Sequence, residues 1–134
     1  MKPDRKTQEE ISEVLERFRT VVANKDFHGA TMLFADDPDI LLLGSGPGEI
    51  ARELSELKGF VEQIFSQQAV LIFDWKTCLV SQVGSMAWVY LDATFYWKGE
   101  NIDQTPRPYR ITGVLEKRDG KWLFVQWHGS QPVS

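Results

Sequence analysis

A chain of 134 residues, 43% hydrophobic and 25% charged, is long enough to bury a core and has the composition of an ordinary globular domain. Its net charge of −4 excludes the Lys and Arg surplus that nucleic-acid phosphates or an anionic membrane surface would require. The lone Cys78 excludes an intramolecular disulfide, and no apolar run has the length of a signal peptide core or a membrane span, so a cytoplasmic protein is expected.

Ile11, Val14, Leu15, Phe18, Val21 and Val22 recur at helical spacing and predict an amphipathic helix over residues 8–23. Thr7-Gln8-Glu9-Glu10 fits a capping box at its start, with the Thr7 hydroxyl accepting from the Glu10 amide. Asp26 is placed to cap a shorter second helix carrying Phe27, Ala30, Leu33 and Phe34, which Asp37-Pro38 ends. Ile40–Leu43 is an apolar run between turn signals and reads as a buried strand. The Gly44-Ser45-Gly46-Pro47-Gly48 loop after it is no phosphate cradle: it lacks a following Lys-Ser/Thr and puts the acidic Glu49 where a phosphate would sit. Leu54, Leu57, Phe60, Val61, Ile64 and Phe65 then predict a third helix over 53–67.

Beyond Val70 the pattern turns to β. Residues 70–82, 85–98, 108–118 and 121–129 are rich in Val, Ile, Phe, Trp, Tyr and Thr and are joined by short turns, which makes consecutive strands antiparallel neighbours. Helices first and a long antiparallel sheet after them define an α+β domain spanning residues 1–134, without repeats or a linker. On the segment 86–97 both alternating sets are largely apolar, whereas a sheet with one wet face would alternate apolar with polar. Helices cover one side only, so a homodimer packed through the outer sheet face is expected.

The turn at Asp119-Gly120 decides which side chains meet. A two-residue loop pairs Arg118 with Lys121 and sends Arg110 and His128 to opposite faces. A three-residue loop with Gly120 left-handed pairs Lys117 with Lys121 and sets Arg110 opposite His128 and Thr112 opposite Gln126. Residue spacing alone permits either.

Arg110-x-Thr112-x-Val114, the Arg118-Asp119-Gly120-Lys121-Trp122 turn and the terminal His128-x-Ser130-x-Pro132, with Ala87-Trp88-Val89 and Leu43-Gly44-Ser45, resemble the SnoaL-like group of the nuclear-transport-factor-2-like superfamily. The last hairpin also looks like the association domain of calcium/calmodulin-dependent kinase. The resemblance implies three helices in the concave face of a curved, mostly antiparallel sheet, an open pocket at the wide end, and dimers through the sheet. It favours the three-residue register, with Arg110 and His128 together in the pocket and Tyr90 and Asp92 facing inward.

On that reading Arg110 offers a donor fork to an anionic group, while Trp88, Tyr90 and Gln126 complete a substrate-binding set. Asp92, which interrupts an apolar strand, and His128 are the candidate proton carriers. The bland alternative pairs Arg110 with Asp92 as a structural ion pair and makes His128 a wall residue. Trp88, Tyr90, Tyr96, Trp122 and Trp127 are expected at a cavity or in the core, and Cys78 serves as a buried small hydrophobe. Two histidines and scattered carboxylates show no metal-ligand spacing, so neither metal nor cofactor is expected. The expected function is a pocket for a small carbonyl- or carboxylate-bearing organic molecule, with cofactor-independent proton transfer of the isomerase, cyclase or dehydratase type. The alternative is a non-catalytic dimeric assembly or partner-binding module. No nucleic-acid or membrane partner is expected.

Overall fold

The computed structural model describes residues 2–38 and 40–133. The first helix, α1 (Arg5–Ala23), starts a turn earlier than the capping box implies. Its N-cap is Asp4, whose carboxylate accepts from the Thr7 amide at 2.7 Å. Glu10 is thereby freed for a tertiary role: it accepts from the Trp122 indole N–H at 3.1 Å and lies 3.3 Å from the Lys117 ammonium, tying α1 to the last hairpin. The Trp122 hydrogen bond holds the Glu10 carboxyl below its ordinary value, with Lys117 acting in the same direction.

Asp26 caps α2 (Phe27–Thr31) as expected, accepting from the Gly29 amide at 2.9 Å. The helix stops short of Leu33 and Phe34 because the sheet claims that backbone: the Phe124 amide donates to the Leu33 carbonyl at 2.8 Å and the Ala35 amide to the Phe124 carbonyl at 2.9 Å. Next come β1 (Leu41–Leu43), an unanticipated two-residue strand β2 (Ile50–Ala51), and α3 (Leu54–Phe65). Four long strands complete the chain: β3 (Val70–Val83), β4 (Met86–Lys98), β5 (Arg107–Arg118) and β6 (Lys121–Ser130).

The six strands form one sheet in the order β2-β1-β6-β5-β4-β3, antiparallel throughout except where β1 runs parallel to β6. Two bulges, at Lys76 in β3 and Val125 in β6, add twist and bend the sheet around the helices. Ala87, Val89, Leu91 and Ala93 of β4 and Ile111 and Leu115 of β5 are buried on the inner face with the apolar stripe of α1. Phe18 of α1 stacks on Phe73 at 5.5 Å between ring centroids and lies 5.8 Å from Trp127. This is the α+β architecture that the order of elements implied, in the cone form that the resemblance implied.

The last hairpin follows neither register as anticipated. Its loop has two residues, with Arg118 paired to Lys121 and both Asp119 and Gly120 at positive φ, as a type I′ turn demands. The bulge at Val125 then slips the pairing by one, so Arg110 lies opposite Ser130 and Thr112 opposite His128. Arg110 and His128 do share a face, for a reason that turn chemistry could not supply.

Candidate ligand pocket

The face that Arg110 and His128 share is the outer one. Cross-strand pairs Trp88–Val114–Gln126, Tyr90–Thr112–His128 and Asp92–Arg110–Ser130 run side by side over β4, β5 and β6, directed away from the helices. Asp92, Arg110, Gln126 and His128 are exposed, Trp88 is 38% exposed and Tyr90 half-buried. The structure thus brings all six sequence-predicted site residues together but does not put them in the cone, and the inward placement of Tyr90 and Asp92 is corrected. The physical reason lies in β5. Tyr109, Ile111, Gly113 and Leu115 are its buried set, so the alternate set beginning at Arg110 must face out. Asp92 and Arg110 are cross-strand neighbours, yet no ion pair joins them.

The cavity lies on the opposite side of the sheet, among α1, α2, α3 and the sheet's inner face, with a volume of about 300 Å³. Its walls are apolar: Phe18 and Val22 from α1, Phe60, Val61, Ile64 and Phe65 from α3, and Leu71, Phe73, Phe95 and Trp97 from β3 and β4. Of the five aromatics expected at a cavity, only Trp127 lines it; Trp122 is buried elsewhere, against Glu10. Cys78, expected to be buried, is only half-buried against the core, and that burial pushes its thiol up.

Polar groups gather at one end of the cavity, where the β1–β2 loop meets the start of β5 and the end of β6. Ser45 and Glu49 come from the loop, Tyr109 from β5, Trp127 from β6 and Gln131 from the segment after it. Tyr109 can lie over β6 because Gly129 has no side chain; a Cβ there would sit 2.2 Å from the phenol oxygen. Burial pushes the Tyr109 phenol up, the Glu49 charge adds to that, and the Ser45 hydroxyl pulls the other way, so the group stays protonated well above neutrality. The Trp127 indole N–H is buried with no hydrogen-bond partner among the described residues. A donor in that condition costs free energy until an acceptor reaches it.

Glu49 is held by its own loop. Its carboxylate Oε1 accepts from the Gly46 amide at 2.5 Å, and its backbone carbonyl accepts from the Gly44 amide at 2.8 Å. A Cβ at Gly44 or Gly46 would come within 2.7 or 2.8 Å of that same oxygen, which is why the loop needs glycines where it touches the carboxylate. Two of the loop's amides, those of Gly44 and Gly46, are thus engaged by Glu49 itself. No group of three or more His, Cys, Asp or Glu able to hold a metal occurs among the described residues, and no helix is long and apolar enough to cross a membrane.

Residues 11–134 match the family model described as a SnoaL-like domain. A comparison with curated proteins finds no match. Among solved structures, the chain is similar to a nuclear transport factor 2-like superfamily protein from Salmonella enterica serovar Typhimurium LT2, with a TM-score of 0.84, 18% identity and 98% and 95% of the two chains covered. A proposed dehydratase of the nuclear transport factor 2-like family from Streptomyces avermitilis gives a TM-score of 0.84 at 16% identity, covering 94% of this chain and 96% of that one. A proposed calcium/calmodulin-dependent protein kinase II association domain from Xanthomonas campestris gives 0.77 at 23% identity, covering 92% and 86%. At such identities the likeness is one of fold alone.

Proposed function

The chain belongs to the SnoaL-like domain family, and on that footing we propose that it binds a small organic molecule in the cavity between its helices and the inner face of its sheet. The observation that carries this reading is the cavity itself, apolar along its length with its polar groups at one end, the usual form of a small-molecule site. The apolar walls take the body of the ligand, and Ser45, Tyr109 and Glu49 orient its polar group. Any proton transfer here would run through Glu49 as acceptor and Tyr109 as donor, because among the described residues the lining holds no His, Lys, Arg, Cys or Asp. This gives to Glu49 and Tyr109 the roles that the sequence assigned to Asp92 and His128.

The test is a thermal-shift screen of organic molecules against the wild type, Ile64→Trp and Arg110→Ala. A ligand at 100 times its Kd stabilises the native state by about 2.7 kcal/mol. Hits should vanish in Ile64→Trp, whose indole fills the cavity, and persist in Arg110→Ala on the other face. A library without hits, or hits indifferent to Ile64→Trp, would count against the pocket.

The outer face supports a second reading, association of two copies. Leu79 is 59% exposed and Trp88 38%, and with Tyr90 and Val114 they line a shallow hollow on the sheet. Exposed apolar surface of this kind beside one acid and one base, Asp92 and Arg110, suits an isologous contact in which each charge meets its opposite on the other copy. Sedimentation velocity should show a dimer for the wild type and a folded monomer for Leu79→Glu/Trp88→Glu. A wild type that stays monomeric at about 100 μM, a hundred times a micromolar Kd, would end that reading.

A further inference from the structure

We infer that the pocket selects an organic ammonium ion, an aromatic or alicyclic amine in its protonated form. This deepens the pocket reading above and rests on it. Among the described residues Glu49 is the only charged side chain in the lining, and no Lys, Arg or His answers it there or in any ion pair. A carboxylate facing a mostly apolar cavity without a countercharge asks for a cation. The loop fixes only half of that carboxylate: Oε1 takes the Gly46 amide, while Oε2 has no hydrogen-bond partner among the described residues and remains available to accept from an N–H.

The walls point to the same charge. Phe18, Phe73, Phe95, Trp97, Tyr109 and Trp127 all line the cavity, and the negative faces of such rings attract a cation that has lost part of its water. An anion would meet those faces and Glu49 together. Arg110, the residue from which an anionic ligand was expected, lies on the far side of the sheet. A cavity of about 150 Å³ admits benzene, so one of about 300 Å³ has room for roughly two rings.

The experiment is isothermal titration of the wild type and Glu49→Gln at pH 7.5 with three ligands of one ring system: 2-naphthylmethylammonium, 2-naphthalenemethanol and 2-naphthoate. The wild type should bind the ammonium at least tenfold more tightly than the naphthoate. Glu49→Gln keeps an oxygen for the Gly46 amide, and should bring the ammonium and the naphthoate within threefold while leaving the neutral alcohol unchanged. A naphthoate that binds within tenfold of the ammonium in the wild type overturns the charge assignment, whether or not the variant folds. So does an ammonium preference that survives in Glu49→Gln. Binding of the alcohol alone keeps the pocket and removes the ammonium, whereas silence from all three at millimolar concentration removes both.

Discussion

Gly129→Ala should destabilise the protein by about 2–3 kcal/mol, the upper part of the range for overpacking a well-filled site, and should abolish ligand binding. The added Cβ would lie 2.2 Å from the Tyr109 oxygen and 2.7 Å from its ring carbons, so the phenol must leave its place over β6. Tyr109 is 6% exposed and sits 5.5 Å from Phe73 and 5.1 Å from Phe95 between ring centroids, which leaves it little room to move without disturbing both. Urea unfolding measures the first effect and calorimetric titration the second. A double mutant with Tyr109→Ala separates them: the cost of alanine at 129 should nearly disappear when the ring is gone. A cost that remains unchanged would mean that the strain lies in the strand and not against the phenol.

Phe124→Ala should be the most destabilising single change in the chain, at about 3–5 kcal/mol, a large part of the 5–15 kcal/mol typical of a domain. Its ring is wholly buried, 5.4 Å from Phe34 and 6.4 Å from Phe18 between centroids, and it packs over Gly113 so closely that a Cβ there would lie 2.8 Å from it. Phe18 and Phe34 also line the ligand cavity, so a hole at 124 opens the back of that wall. Phe124→Leu, which refills most of the volume, should cost less than half as much in the same urea titration. A loss under about 1.5 kcal/mol for the alanine variant would show that the helices collapse into the gap.

The elements themselves were legible in the sequence because each rests on local periodicity. The strands over 70–82, 85–98, 108–118 and 121–129 fall within a residue or two of their observed limits, and Asp26 caps the second helix. What local periodicity does not carry is a slip that depends on partners. Val125 is itself a good β-former, and nothing in Phe124-Val125-Gln126 marks the spot where it bulges out of the strand. The facing of β4 was equally hidden, since both of its alternate sets are apolar. The signal that could have settled it was in β5, where Ile111 and Leu115 alternate with Arg110, Thr112 and Glu116. The polar end of the cavity was harder still. Ser45 and Glu49 stand some sixty residues from Tyr109 in the chain, and only the pairing of β1 with β6 unites them.

That pairing makes binding a late property of the folding chain. The hairpins from β3 to β6 are local contacts that close small loops, whereas β1 must join β6 in parallel across the intervening helix and four strands, a contact of long sequence separation that is slow to form. A partly ordered chain would therefore present the aromatic wall without its anchor, greasy but unselective. Recognition begins when the first strand reaches the last, so discrimination between ligands reports completion of the fold and not merely its collapse.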